Sequence, residues 1–176
     1  YSPEFTEEIE AALAEVTTKP EQILKVEAIA KLAEPAGIEL AAVDASATDE
    51  CFWLYSSGTT GEPKGVVHVH RDIIATCELY AVRVLGQTEA DTWFSVPKLF
   101  FAYGLGCGMT FPLWVGGSAV LDPRRPTPDT VTEMVRRFKP TIFAAVPTFY
   151  AAWLAHADFK KEDAATFRRC VSGGEA

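Results

Sequence analysis

A stretch rich in glycine and hydroxyl side chains has the composition of a phosphate-binding loop. It lies between two apolar runs and consists of Ser56, Ser57, Gly58, Thr59, Thr60, Gly61, Glu62, Pro63 and Lys64. Glycine lets the backbone come close to a ligand, and exposed N–H groups can then form an anion-binding concavity. Lys64 adds a compact positive charge. These residues therefore suit the binding of a polyphosphate.

A loop of this composition can also be a hairpin connection that only reverses the chain. The density of hydroxyl and glycine positions, followed by Pro63-Lys64-Gly65, favours phosphate binding. The phosphate loop of ordinary nucleoside triphosphatases places Ser or Thr directly after its Lys, whereas Gly65 stands there in this chain. An ordinary P-loop enzyme is therefore a poor fit.

The loop resembles the signature loop of the adenylate-forming superfamily, which includes acyl-CoA synthetases, adenylation domains of peptide synthetases and luciferases. The resemblance is carried by the ten residues from Ser56 to Gly65. It implies that the β- and γ-phosphates of ATP are held by Ser56, Ser57, Gly58, Thr59, Thr60, Gly61 and Lys64.

A second segment resembles the acyl-pocket segment of this superfamily, in the form associated with benzoate–CoA ligases. It reads Val96-Pro97-Lys98-Leu99-Phe100-Phe101-Ala102-Tyr103-Gly104, and many relatives carry a His where Phe101 stands. The resemblance implies that the pocket for the carboxylate substrate is lined by Phe101, Ala102, Tyr103 and Gly104. A small residue leaves room for an aryl ring and an aromatic wall can stack on it. From composition alone, these aromatic residues are as easily core residues.

Two further segments follow in the order that the superfamily has. The run from Pro140 to Thr148 is similar to a strand that leads to a proline turn beneath the site, and we interpret it as mainly structural. The end of the chain resembles the adenine loop, and the resemblance implies adenine binding by Ser172, Gly173, Gly174, Glu175 and Ala176. Taken in isolation, this end also fits a glycine-rich turn.

No complete metal site is predicted. His68 and His70 alternate along a predicted strand and would face the same side, but no third ligand accompanies them. The resemblance places the Mg²⁺ ligand beyond Ala176. The four cysteines form no C-x-x-C pair, which favours reduced thiols and a cytoplasmic protein.

Charge and hydropathy exclude some classes of protein. The net charge of -8 argues against nucleic-acid binding, which needs basic clusters. Residues 99–121 carry no charge and are long enough to span a bilayer, but glycines and Pro112 interrupt them. We expect a buried helix followed by a turn and a strand there, with a membrane span as the alternative.

The rest of the chain alternates between helices and strands, which predicts an α/β fold with a mostly parallel sheet flanked by helices. Helices are predicted at residues 6–16, 72–85 and 148–156, and another begins at the cap residue Thr127. Strands are predicted at residues 51–55 (buried), 65–69, 92–96, 118–121, 141–146 and 170–171. Residues 21–33 are left open, and loops are expected at 35–37 and 44–49. Ligands of such sheets bind at the carboxyl ends of the strands.

Two helices have predicted core faces. In the helix at residues 72–85 the face is Ile73, Cys77, Tyr80 and Val84, with Gly86 placed to end the helix. In the helix that Thr127 caps it is Val131, Met134, Val135 and Phe138.

The resemblance implies part of the large N-terminal domain of an adenylate-forming enzyme. Residues 1–48 would be a helical and loop lead-in, and residues 49–176 an AMP-binding domain truncated at the adenine loop. The chain is expected to be a fragment that is not competent alone.

The implied activity is ATP-dependent conversion of an aromatic carboxylate, benzoate first, through acyl-AMP to its CoA thioester. The implied partners are the acid, ATP and coenzyme A, without nucleic acid or membrane, and a homodimer stays open. The alternatives are a ligase for 4-hydroxybenzoate or 2-aminobenzoate, a domain that loads a carrier protein, and a non-catalytic nucleotide-binding module.

Overall fold

The computed structural model describes residues 1–32, 41–57 and 63–175, and the chain forms two compact units, Tyr1–Asp44 and Ala45–Ala176. The first unit contains a 3-10 turn at Pro3–Phe5, helix α1 at Thr6–Glu15 and helix α2 at Val26–Leu32. The helix predicted at 6–16 is confirmed, and α2 lies in the part left open. The loop expected at residues 35–37 lies outside the described residues.

The second unit begins with a two-stranded antiparallel hairpin of β1 (Glu50–Ser57) and β2 (Pro63–Val69). Both strands were predicted, but the expectation that residues 51–55 are buried is wrong. Trp53 is 53% exposed and Tyr55 is 70% exposed. The reason is that successive side chains of a strand point to opposite faces, and here Phe52 and Leu54 lie on the partly covered face.

A four-stranded sheet forms the centre of this unit. It contains β3 (Thr92–Ser95), β4 (Ser118–Val120), β5 (Ile142–Ala145) and β6 (Arg169–Ser172) in the order β4-β3-β5-β6. Every neighbouring pair is parallel. The predicted strands and the α/β class are therefore confirmed, and the carboxyl ends of all these strands lie at one edge of the sheet.

Helix α3 (His70–Thr76) continues into a π-helical turn at Cys77–Val82. Gly86 ends it with φ 64°, where the Gln87 amide donates to the Ala81 carbonyl at 3.0 Å, as the sequence predicts. The predicted core face is wrong in its second half, because the wider π turn rotates the residues that follow it. Ala81 and Leu85 are buried, whereas Tyr80 is 38% and Val84 66% exposed.

The uncharged run at residues 99–121 contains a helix, a turn and a strand, as expected. The helix comprises α4 (Ala102–Leu105), a π-helical stretch (Gly106–Thr110) and α5 (Phe111–Trp114). Gly116 then turns the chain with φ 74° before β4 begins. Within the described residues, no helix combines the length and the apolar character that crossing a bilayer requires.

Helices α6 (Pro128–Phe138) and α7 (Pro147–Leu154) and a 3-10 turn at Lys161–Ala164 complete the unit. The predicted cap is confirmed, since the Thr130 amide donates to Thr127 Oγ1 at 3.2 Å. Val131, Met134 and Val135 are buried as predicted. Phe138 is 43% exposed, so its place in the predicted core face is wrong.

The sheet is covered on both faces. One core combines Trp93, Ile142, Ala144 and Val171 from the strands with Cys77, Ala81, Leu85, Cys107 and Phe111 from the helical segments. The other combines Phe94, Val120, Phe143 and Ala145 with Val131, Met134, Val135 and Trp153 of α6 and α7. Both cores hold the four strand ends in a fixed arrangement, and that arrangement positions the candidate site.

Candidate functional site

The predicted phosphate loop is the connection between the antiparallel strands β1 and β2. Ser56 pairs with Lys64, and Ser57 pairs with Pro63. The pairing of the two strands therefore continues up to the residues that flank the loop. Lys64 is exposed. Gly58, Thr59, Thr60 and Gly61 lie outside the described residues. The structure therefore places the base of the loop, with Ser56 and Lys64 on neighbouring strands.

The predicted acyl-pocket residues lie at the start of α4. Phe101 is its N-cap residue in an extended conformation and is 57% exposed, and Tyr103 is the half-buried second residue of the helix. Gly104 is buried against the preceding loop, where an added Cβ would lie 1.9 Å from the Lys98 carbonyl oxygen. Only glycine permits this approach, so Gly104 determines how α4 packs over the loop.

A cleft of about 520 Å³ brings residues of the predicted substrate pocket and of the predicted adenine loop together. Phe101 and Tyr103 line it together with Gly174 and Glu175. The other lining residues are Val96, Pro97, Lys98, Phe100, Pro126 and Val146. The cleft is thus mostly apolar, with one basic and one acidic side chain. Ala102 instead lines a separate cavity of about 200 Å³ beside Phe52 and His68, and Gly104 lines neither.

Two tyrosine hydroxyls meet at one backbone oxygen beneath the cleft. The Tyr103 hydroxyl donates towards the Val171 carbonyl at 2.8 Å and the Ala145 carbonyl at 3.2 Å. The Tyr150 hydroxyl lies 3.0 Å from the same Val171 oxygen and 3.1 Å from that of Phe143. Burial raises the pKa of both tyrosines above the ordinary value, so both hydroxyls stay protonated and act as donors.

The predicted adenine loop follows β6, and its Glu175 contacts the first turn of α7. Ser172 ends β6, Gly173 follows, and Gly174 has φ 87°, a conformation that favours glycine. The Glu175 carboxylate accepts from the Thr148 amide at 3.0 Å and from Thr148 Oγ1 at 2.8 Å. Ala176 lies outside the described residues.

Thr148 and Tyr150 were missed as functional candidates by the sequence reasoning. Thr148 ends the segment that was interpreted as structural, and it directly follows Pro147 at the start of α7. A Thr in the first helical turn after a strand end was the available signal, since such hydroxyls bind polar groups of neighbouring loops. Nothing local in the sequence indicated the partner of Tyr150.

The predicted alternation of His68 and His70 on one strand is wrong. His70 is the first residue of α3, whereas His68 lies on β2. His68 stacks on Phe52 with ring centroids 5.0 Å apart and its Nδ1 lies 3.3 Å from Asp72 Oδ2. Across residues 1–32, 41–57 and 63–175, no three His, Cys, Asp or Glu side chains form a group that could hold a metal ion.

Comparisons with known proteins agree with these features. Benzoate–CoA ligase from Thauera aromatica is 59% identical over 128 residues, which are 73% of this chain and 24% of that protein. The 4-hydroxybenzoate–CoA/benzoate–CoA ligase of Rhodopseudomonas palustris is 49% identical over 130 residues, again 73% of this chain and 24% of that protein. The crystal structure of a benzoate CoA ligase from Burkholderia xenovorans LB400 superimposes with a TM-score of 0.83 at 38% identity, over 99% of this chain and 35% of that one.

The chain spans about a quarter of the length of the two curated relatives. The family described as AMP-binding enzymes matches residues 3–176, nearly the whole of the chain. With a match of that extent, supported by these relatives, the chain belongs to the AMP-binding enzyme family.

Proposed function

We propose that the protein containing this chain activates an aromatic carboxylate, with benzoate as the first candidate, and converts it through acyl-AMP to a CoA thioester. The observation that carries this proposal is the 59% identity to the benzoate–CoA ligase of Thauera aromatica. The Lys98-to-Gly104 segment supports the same choice, because it has the form associated with benzoate–CoA ligases.

The geometry of the cleft supports an acyl-adenylate as the intermediate. In such a molecule the aryl acyl group is joined to adenine through a phosphate and a ribose. Its site therefore needs an aryl pocket near an adenine-binding loop. Phe101 and Tyr103 lie in the same cleft as Gly174 and Glu175, which meets that requirement. The apolar walls suit a flat aryl ring.

The first step is attack of a carboxylate oxygen of the acid on the α-phosphorus of ATP. A new bond forms between that carboxylate oxygen and the α-phosphorus, the bond from the α-phosphorus to the oxygen that bridges to the β-phosphate breaks, and pyrophosphate leaves. In the second step the CoA thiol attacks the acyl carbon, the acyl–oxygen bond breaks and AMP leaves while the thiol loses its proton. Rate enhancement in such reactions comes from positioning and from stabilising the developing charge.

This chain supplies the groups that hold ATP in that scheme. Phosphates bind at the β1–β2 loop, to Ser56, Ser57, Gly58, Thr59, Thr60, Gly61 and Lys64, and the adenine binds at residues 172–176. Among the described residues no three His, Cys, Asp or Glu side chains form a metal-binding group, whereas Mg²⁺ can bind through one or two carboxylates together with the phosphates of ATP. Residues 1–48 and 49–176 would be parts of one AMP-binding domain, which the family match from residue 3 supports.

A second candidate substrate is 4-hydroxybenzoate. The relative at 49% identity is a 4-hydroxybenzoate–CoA/benzoate–CoA ligase. Tyr103 would not distinguish the two acids by hydrogen bonding, because its hydroxyl already donates to backbone carbonyls. Apolar pockets discriminate weakly against one added hydroxyl, so activity on both acids is expected.

The test uses the full-length protein with ATP, CoA and a panel of acids. AMP and thioester are measured with benzoate, 4-hydroxybenzoate, 2-aminobenzoate and octanoate, and with no acid. We expect both products with benzoate and none without acid. AMP formation without thioester on addition of CoA would point to a carrier-protein acceptor instead. ATP binding with no acid-dependent AMP would sink the ligase proposal and leave a nucleotide-binding module.

The role of Lys64 is tested in the same assay. Lys64→Ala removes the only positive charge of the predicted phosphate loop, so acid-dependent AMP formation should fall about a hundredfold. The matched control is Lys161→Ala, which removes an exposed lysine in the Lys161–Ala164 turn. Equal rates for the two variants would overturn the assignment of Lys64.

A further inference from the structure

We propose that Thr148 and Tyr150 of α7 are positioning residues that hold the adenine loop, and that Tyr103 connects the aryl pocket to that loop through a shared carbonyl. The inference deepens the proposed function, since it assumes that residues 172–176 receive adenine and that Tyr103 faces the acid. It rests on three hydrogen-bonded connections among the described residues, which join Thr148 to Glu175, Tyr150 to Val171 and Tyr103 to Val171.

The first connection fixes the tip of the loop. Both oxygens of the Glu175 carboxylate are engaged, one by the Thr148 amide at 3.0 Å and one by Thr148 Oγ1 at 2.8 Å. The Thr148 amide lies in the first turn of α7, where the helix dipole favours a negative charge. Glu175 follows Gly174, the residue with φ 87°. The loop is therefore attached directly beside its most permissive backbone position.

The second connection fixes the stem of the loop. The Tyr150 hydroxyl lies 3.0 Å from the Val171 carbonyl, one residue before the loop begins. Tyr150 and Thr148 both belong to α7, so one helix contacts both Glu175 in the loop and Val171 in the strand before it. Since α7 packs on the sheet through the buried Trp153, the helix transfers the rigidity of the core to the loop.

The third connection links the two halves of the cleft. Tyr103 donates to the same Val171 oxygen at 2.8 Å, and a Cβ built on Gly174 would lie 3.7 Å from Tyr103 Cδ1. The Val171 carbonyl lies within hydrogen-bond distance of both tyrosine hydroxyls. Each hydroxyl also has a second carbonyl in reach, that of Ala145 for Tyr103 and that of Phe143 for Tyr150. An acid that orders the Tyr103 ring thereby also orders the adenine loop. Acid and ATP should consequently increase each other's affinity by the same factor.

The decisive experiment compares Thr148→Val with Thr148→Ser in the full-length protein. Valine keeps the branched shape and removes the hydroxyl donor, whereas serine keeps the donor. We expect Thr148→Val to raise the Kd of ATP, measured by titration calorimetry, about tenfold, and Thr148→Ser to stay near wild type. The KM for ATP should rise in parallel, with a much smaller rise in the KM for benzoate.

Thr166→Val is the matched control. Its hydroxyl donates to the Pro140 carbonyl at 2.7 Å, so the substitution removes a comparable hydrogen bond at the opposite end of β5. It should leave ATP affinity unchanged. The inference is overturned if Thr148→Val leaves the Kd of ATP at the wild-type value, if serine fails to restore it, or if Thr166→Val weakens ATP equally.

The shared carbonyl is tested by a double-mutant cycle on Tyr103→Phe and Tyr150→Phe. If both hydroxyls act through Val171, the effects of the two substitutions on the Kd of ATP are not additive. In addition, the ratio of the Kd of ATP without benzoate to that with benzoate falls in each single variant. Additive effects with an unchanged ratio would contradict the coupling. The Kd of ATP is measured independently of catalysis. A wild-type protein that binds ATP but forms no aryl-AMP would therefore refute the proposed function, while the Kd values of the Thr148, Tyr103 and Tyr150 variants would still test the inference about the loop.

Discussion

Asp91 and Arg168 form an ion pair at the amino ends of the parallel strands, at the edge of the sheet opposite the cleft, in which the carboxylate is buried and the guanidinium is partly exposed. Arg168 Nε donates to Asp91 Oδ1 at 2.6 Å, and the Asp91 side chain is only 3% exposed. Thr141 donates to the same carboxylate at 2.7 Å, and Arg168 also donates to the Gly86 carbonyl at the end of the α3 helix. The pair thus joins the starts of three strands to a helix end.

Asp91→Asn should destabilise the protein by about 2 kcal/mol, because it removes charge-assisted hydrogen bonds from a buried carboxylate, while the partly exposed Arg168 guanidinium can still be solvated. Urea unfolding of the full-length protein would measure the change. Asp129→Asn is a suitable control, since that carboxylate is 79% exposed beside His156. A loss no larger than that of the control would show that the pair does not stabilise the fold.

The Asp91 pair also predicts the pH dependence of stability. Burial alone would raise the pKa of Asp91, but hydrogen bonds from Arg168 and Thr141 lower it well below the ordinary value. A carboxylate with a lowered pKa in the folded state stabilises the protein above its unfolded pKa, and this contribution is lost as the pH falls towards the folded pKa. Wild type should therefore lose stability between about pH 5 and pH 2, and Asp91→Asn should show a shallower loss in the same range.

Gly104→Ala should cost about 3 kcal/mol of folding free energy, because the new methyl group would meet the Lys98 backbone and force α4 away from it. Gly106→Ala gives a contrast in the same helical segment. Its methyl group would meet the Phe111 ring at 2.8 Å, and a side chain can move where a backbone carbonyl cannot. Thermal unfolding should show a clearly larger loss for Gly104→Ala, and equal losses would disprove the packing argument.

Thr132→Val should destabilise the protein by about 2 kcal/mol, because it leaves a buried donor without its acceptor. Trp153 Nε1 donates to Thr132 Oγ1 at 2.8 Å between α6 and α7, and both residues are buried. Thr132→Ser preserves the acceptor and should recover most of the loss. If valine is no more destabilising than serine in chemical denaturation, the hydrogen bond does not account for the loss.

Cys107 should resist alkylation in the folded protein. It is 1% exposed, and burial raises the pKa of its thiol to about 12, so almost no thiolate forms near neutral pH. Iodoacetamide treatment followed by peptide mass spectrometry should leave Cys107 unmodified in the native protein and modify it after denaturation. Rapid modification in the native state would mean that this helix opens readily.

Much of the fold could be predicted because its signals are local. The Thr127 cap, the Gly86 terminus and the apolar runs of β3 to β6 each depend on neighbouring residues. The π-helical turn at Cys77–Val82 could not be predicted from periodicity, since it changes the period itself. The exposure of Trp53 and Tyr55 depends on how many strands their sheet contains, which a single run does not reveal.

For the candidate site, the sequence identified segments better than contacts. The phosphate loop, the Phe101-to-Gly104 segment and the adenine loop were predicted from their motifs, and the structure shows that Phe101, Tyr103, Gly174 and Glu175 share a cleft. The attachment of Glu175 to Thr148 joins residues 27 positions apart and needs the strand order to bring them together. The same holds for Tyr103 and Val171, which are 68 positions apart.

The two π-helical turns have a consequence for comparing this chain with its relatives. A π turn is equivalent to an α-helix that has taken up one extra residue. Relatives with regular α-helices at Cys77–Val82 or Gly106–Thr110 should therefore align with a single unmatched residue inside an otherwise continuous helix. Removal of one residue from either turn should restore regular α-helical spacing and return the residues that follow it to the faces that a period of 3.6 predicts.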